Sequence, residues 1–246
     1  MEVTRLTEAS FRNYTRTILQ LGIRILADAD PVVPEGLKPR KSPIQARSGA
    51  TVEAIYEATI QVLIAEGLGR LTTTRVAARA GISVGTLYQY FPNKQALFFA
   101  ILQRHFEEMA EAIEALRTGG TKRTLGEISD SLADAYVSTK VARRDATTAL
   151  YAVAVVIDQG KLSSGLYKRL ETAVVRRLTE ASDASFRDVD KAAFTLLAAW
   201  NGLSRATFEN SVPENDNLAR FREEIALLSR AYLQAAADWT CELPLR

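Results

Sequence analysis

The side chains best placed to touch a nucleic acid lie in one stretch, Leu71-Thr72-Thr73-Thr74-Arg75-Val76-Ala77-Ala78-Arg79-Ala80-Gly81-Ile82-Ser83-Val84-Gly85-Thr86-Leu87-Tyr88-Gln89-Tyr90-Phe91-Pro92-Asn93-Lys94. Val84, Gly85, Thr86, Tyr88, Gln89 and Tyr90 are expected on the outer face of a short helix, and none of them is charged. Val84 and the Thr86 methyl suit thymine methyls, and Gln89 suits an adenine edge. The Tyr88 and Tyr90 hydroxyls can donate to phosphates. Gly85 costs about 1 kcal/mol of helix propensity relative to alanine, which close approach of the backbone to DNA would offset. Asn93 can cap the following helix, so that Lys94 and the helix amino terminus both present positive potential.

Local signals supply the frame for these groups. Thr72 can cap a short helix whose Val76, Ala77 and Ala80 share a face, small enough for a neighbouring helix to approach. Gly81 provides a left-handed turn. Ser83 then caps a second short helix, with Leu87 and Phe91 turned to the core. Two short helices joined by a tight glycine turn make a helix-turn-helix, whose second helix fits a major groove. In the helix preceding this pair, Val52, Ile55, Thr59, Val62 and Leu63 form one face, and Gly67 is its expected left-handed stop. Between Lys38 and Lys94 eight basic residues stand against three acidic ones, a net charge of +5, while the rest of the chain sums to −3. This asymmetry suits a protein of which one part meets a polyanion.

Elsewhere the helical period dominates. Residues 8–29 carry Phe11, Tyr14, Ile18 and Ile25 on one stripe, suited to docking on the body and less well to a membrane surface. Four prolines in residues 31–43 preclude a regular helix and make a linker that ends as a basic arm. Helices are expected over roughly 94–117, 124–141, 145–159, 162–181, 188–210 and 215–239. No stretch has the alternation of a strand, so the fold class is all-α.

The run from Thr72 through Val76-Ala77 and Ala80-Gly81-Ile82-Ser83 to Leu87-Tyr88-Gln89-Tyr90-Phe91-Pro92-Asn93-Lys94 and Leu97 resembles the DNA-binding signature of the TetR (tetracycline-repressor-like) family of transcription regulators. The resemblance covers about residues 48–97. It implies a three-helix DNA-binding domain over 48–97, after an amino-terminal extension over 1–47, with a helical ligand-binding and dimerisation domain over 98–246. It also implies phosphate contacts from Thr72, Thr73, Tyr88, Tyr90 and Lys94, to which Arg47 and Thr74 are added, and base contacts from Val84, Gly85, Thr86 and Gln89. The partners so implied are double-stranded operator DNA, a small hydrophobic effector, and a second copy of the chain. Repressor is the expected role, with activator or non-specific DNA binder as the alternatives.

The carboxy-terminal half is less explicit. Phe106, Tyr136, Tyr151 and Trp200 are the residues expected to line an effector cavity, against a background of ordinary core aromatics. Residues 194–208 and 221–237 suit a four-helix dimer interface, or else burial within one subunit. With one Cys, Cys241, and one His, His105, no disulfide framework or metal centre is expected, and no cofactor motif is present. His105 reads as a satisfied surface or interface histidine, not as a ligand or catalyst. No nucleophile-base pair points to an enzyme. No apolar run is long enough to span a membrane, and the expected location is cytoplasmic.

Overall fold

The computed structural model describes residues 46–116, 122–156, 167–209 and 211–239. The expected helix over 8–29, the proline-rich linker and Cys241 lie outside the described residues, as does the side chain of Arg47. Nine helices are described: α1 Ala46–Glu66, α2 Thr73–Arg79, α3 Val84–Tyr90, α4 Lys94–Glu114, α5 Leu125–Ala142, α6 Arg144–Val156, α7 Lys168–Leu178, α8 Val189–Phe208 and α9 Asn215–Ala236. A 3-10 turn, Leu68–Arg70, links α1 to α2.

Helix boundaries follow capping chemistry. Thr72, Ser83 and Asn93 accept from the backbone N–H groups of Arg75, Thr86 and Ala96, each satisfying one orphan amide of the first turn. Thr124 and Glu127 form a reciprocal capping box at the start of α5. Gly67 and Gly81 have φ of 78° and 69°, a region that L side chains rarely adopt. The α4 carboxy terminus is held by the buried guanidinium of Arg177, which donates to the carbonyls of Ile113 and Glu114 at 3.2 and 2.7 Å and pairs with Glu180.

Among the described residues there is one strand pair, contrary to the all-helical reading of individual segments. Ala184–Ser185 (β1) and Asp238–Trp239 (β2) pair antiparallel, Ala184 opposite Trp239. Two residues per strand are too few for an alternating pattern, and the pairing is created by the approach of distant segments. The fold class stays all-α.

Two apolar clusters organise the helices. The first gathers Ile55, Val62, Leu63, Leu71, Val76, Leu87 and Phe91 with Leu97–Leu102, and draws Leu150 and Val153 from α6. The second lies among α4, α5, α7, α8 and α9 and centres on Leu132, Tyr136, Val174, Leu196, Trp200, Phe208, Phe221 and Ile225. Fully burying a Leu or Phe contributes roughly 1.5–3 kcal/mol, so Leu87 and Phe91 alone anchor the short α3 firmly. Phe106 packs against both clusters. The helix α6 therefore keys the body to the first cluster, and Arg143, at the α5–α6 junction, grips Glu57 of α1 through two bonds of 2.9 and 3.1 Å.

Candidate nucleic-acid interface and effector core

Along α3 the buried side is Leu87, while Gly85, Tyr88 and Gln89 are exposed. Val84, Thr86 and Tyr90 are partly buried, and Val84 and Tyr90 rest some of their apolar surface on the first cluster. The turn before α3 is tied by Ile82 N–H donating to Ala77 O at 3.0 Å and Gly81 N–H to Ala78 O at 3.2 Å. Ser83 fixes the first turn further, its hydroxyl lying 2.8 Å from that of Thr86. The Thr86 hydroxyl is thus engaged locally.

Gly85 is unexplained by internal packing. A Cβ built there would meet nothing closer than Ser83 Oγ at 3.6 Å, an ordinary contact. The glycine therefore relieves no clash inside the chain, while its helical position carries a propensity penalty.

Five of the sequence-selected phosphate contacts, Thr72, Thr73, Thr74, Tyr88 and Lys94, lie where α2 begins. Thr73 Oγ1 and Tyr88 Oη are 3.1 Å apart, joining α2 to α3 across the turn. The Lys94 ammonium donates to Leu71 O at 2.9 Å, one residue before the Thr72 cap, and sits 5.2 Å from the Phe98 ring centre. Thr74 is exposed on the next turn position. These contacts hold hydroxyl donors and a cation at one edge of the helix pair, beside the amino terminus of α2. Part of the local positive charge is already compensated. Arg75 pairs with Glu66 at 2.7 Å, whereas Arg79 donates to the neutral amide of Gln61 at 2.7 Å and keeps its charge.

In the body, Tyr136 and Trp200 come together with ring centres 4.7 Å apart. Their polar ends are satisfied internally: Tyr136 Oη lies 2.8 Å from Ser204 Oγ, and Trp200 Nε1 donates to Ser229 Oγ at 2.8 Å. Phe106 meets Tyr167 with ring centres 4.3 Å apart and planes tilted by 48°. Tyr151 faces Lys140, whose ammonium is 3.4 Å from its hydroxyl and 3.1 Å from His105 Nε2. Burial pushes the phenols of Tyr136 and Tyr151 up and takes Tyr167 up to about 12. Burial lowers Lys140 to about 7, and burial followed by Lys140 lowers His105 well below the usual range. Sequence inspection missed Lys140, although Ala133, Tyr136, Val137 and Lys140 fall at helical spacing on the buried face of α5. A separate groove of about 350 Å³ is lined by Tyr56, Gln103, Arg104 and Glu107 among others, and holds none of the four selected aromatics.

Among the apolar residues expected at a dimer surface, Leu196, Leu197, Phe221, Ile225 and Leu233 are buried inside the subunit. They are used in packing α8 and α9 on each other and on the rest of the body. Ala198 and Gly202 remain exposed, Ala199, Leu203, Leu228 and Tyr232 are partly so, and Leu227 is 63% exposed.

The arrangement is a helix-turn-helix unit carried on a larger helical body, the construction of a DNA-reading regulator. Two family models match: bacterial regulatory proteins of the tetR family over residues 55–101, and the tetracyclin repressor-like C-terminal domain over residues 124–233. The chain belongs to the TetR family of transcriptional regulators. It is 40% identical over 68 residues to the HTH-type transcriptional repressor KstR of Mycolicibacterium smegmatis, spanning 27% of this chain and 33% of that one. It is 38% identical over 64 residues to the nucleoid occlusion factor SlmA of Haemophilus ducreyi, 26% and 32% of the two chains. The chain thus spans about a third of the length of these curated relatives. A TetR-family regulator from Streptomyces coelicolor superposes with a TM-score of 0.56 at 25% identity, covering 78% of this chain and 100% of that one. A putative one from Mesorhizobium loti reaches 0.60 at 18% identity, covering 78% and 98%, and shows the shared fold. Among the described residues no helix is long and apolar enough to cross a membrane.

Proposed function

We propose that this regulator is a repressor that binds palindromic operator DNA as a homodimer and is released by a small apolar effector. The reading divides the chain into a DNA-reading unit over residues 48–97 and a sensing and dimerising unit over residues 98–246. The observation that carries it is the outer face of α3, uncharged and open over Gly85 with exposed Gln89 and Tyr88 beside it. Gly85, Val84, Thr86 and Gln89 read base edges, while Arg47, Thr72, Thr73, Thr74, Tyr88, Tyr90 and Lys94 position the helix on phosphates. The exposed Ala198 and Gly202 on α8 let a partner helix approach closely, with Leu227 offering apolar area on α9. A two-fold pair would place the recognition helices about one DNA turn apart, roughly 34 Å.

Two relatives lend support through their names alone. KstR is named a repressor. A multidrug binding protein, EbrR, was solved with imidazole bound, and superposes with a TM-score of 0.52 at 20% identity over 72% of this chain and 93% of that one. In the present chain Phe106, Tyr136, Tyr151 and Trp200 would surround the effector. The coupling path is α6, which carries Tyr151 on one side and Leu150 and Val153 on the other. Footprinting on the chain's own promoter tests the reading. It predicts protection of a sequence with two-fold symmetry, and an asymmetric or sequence-independent footprint would refute it.

A further inference from the structure

Among the described residues two cations are buried, Arg177 and Lys140, and they are treated differently. Arg177 has the carboxylate of Glu180 and two backbone carbonyls. Among the described residues Lys140, 3% exposed, has only neutral polar partners: His105 Nε2 at 3.1 Å and Tyr151 Oη at 3.4 Å. The rings of Tyr136 and Tyr151 lie with their centres 5.6 and 5.1 Å from the nitrogen. No ion pair joins it to a described carboxylate. Glu209, whose charge reaches Tyr151, is taken by Arg205 at 2.8 and 2.7 Å. An ammonium has three N–H groups, so at least one lacks an acceptor among the described residues. Leaving a buried cation unpaired is unfavourable, and a methionine would fill similar space without that penalty. Burial accordingly lowers this amine to about 7, where its charge responds readily to a neighbour.

We propose that the Lys140 ammonium is the recognition point for an acidic group, so that the effector is an apolar molecule carrying a carboxylate. The carboxylate accepts from Nζ, and the apolar part lies against Phe106, Tyr136 and Tyr151. The proposal rests on reading the body as an effector receptor, and narrows the ligand class. It also gives the ligand a lever. Lys140 of α5 bridges His105 of α4 and Tyr151 of α6, and α6 reaches into the DNA-binding cluster through Leu150 and Val153. An anion that redirects the ammonium alters the contact between these three helices.

The test uses the full chain with straight-chain carboxylates from acetate to decanoate, each beside the alcohol of equal length, measured by calorimetry and thermal melting. At least one carboxylate is expected to bind about tenfold more tightly than its alcohol. Lys140→Gln is expected to shrink that preference below about threefold, whereas Lys140→Arg, which keeps a cation, retains most of it. No preference in the parent, or a preference that survives Lys140→Gln, overturns the proposal. Should Lys140→Gln not melt cooperatively, proton uptake by the parent decides. Carboxylate binding at pH 8, compared in buffers of different ionisation enthalpy, takes up a proton if Lys140 is the receptor, and no uptake refutes it. His105 is held low by burial and by Lys140, and the phenols of Tyr136 and Tyr151 are held high, so these neighbours do not supply the signal. Release of promoter DNA is followed separately. Carboxylates that bind through Lys140 yet leave DNA bound would keep the acid site and defeat the effector-release reading. Alcohols that release DNA equally from parent and variants would do the reverse.

Discussion

Gly85→Ala separates the needs of the fold from those of DNA recognition. The added Cβ meets only Ser83 Oγ at 3.6 Å, so no internal repacking opposes it. Gly85 is the second residue of α3, where the alanine advantage lies at the low end of its range, about 0.5 kcal/mol. For a chain of this size that corresponds to a melting temperature raised by roughly 1–2 °C. On DNA the same methyl occupies the surface proposed to lie closest to the bases. Overfilling a packed contact costs about 1–3 kcal/mol, which weakens binding by roughly 5–150-fold. Differential scanning calorimetry and fluorescence anisotropy on the same preparations read both quantities. A variant that is more stable and binds DNA as tightly as the parent would refute the close-approach argument. One that melts lower would refute the claim that nothing inside the chain requires glycine.

Three further predictions concern other parts of the molecule. Tyr88→Phe removes the hydroxyl shared with Thr73 on an exposed surface, so stability should change by less than about 0.5 kcal/mol while DNA binding weakens roughly 3- to 10-fold, both measurable on one sample. Because burial depresses Lys140 from 10.5 to about 7, the unfolded chain binds the additional proton between those values. The parent should therefore gain stability as pH rises from about 7 towards 10.5, and Lys140→Met should show a flatter profile in denaturant titrations, with parallel profiles counting against the buried amine. Trp200→Ala empties the centre of the second cluster and removes the indole N–H that Ser229 Oγ accepts, while that hydroxyl keeps its bond to Ile225 O, so a loss of about 3–5 kcal/mol is expected by chemical denaturation.

The parts of this structure written locally in the chain were the legible ones. Thr72, Ser83 and Asn93 announce helix starts because a cap needs only its own next three residues, and Gly67 and Gly81 announce turns by their backbone freedom. The burial of Leu87, Phe91, Ile55 and Val62 followed from spacing along single helices. Features made by distant residues were not legible. The pairing of Ala184 with Trp239, the Glu57–Arg143 clasp and the Arg75–Glu66 pair depend on how helices pack, which spacing does not encode. The aromatics of the body could be chosen but not paired, since the Tyr136–Trp200 contact joins α5 to α8. Lys140 lay between these cases. Its spacing on α5 placed it on the buried face, but its significance comes from His105 and Tyr151, contributed by two other helices.

The central claim is that α3 reads operator DNA. Its most direct test is fluorescence anisotropy of the full chain with its own promoter across a salt series, with Tyr88→Ala and Lys94→Ala beside the parent. The account predicts tight, salt-sensitive binding that prefers the promoter over unrelated DNA and is weakened by both substitutions. Failure to bind any DNA at any salt, or binding indifferent to both substitutions, would contradict it.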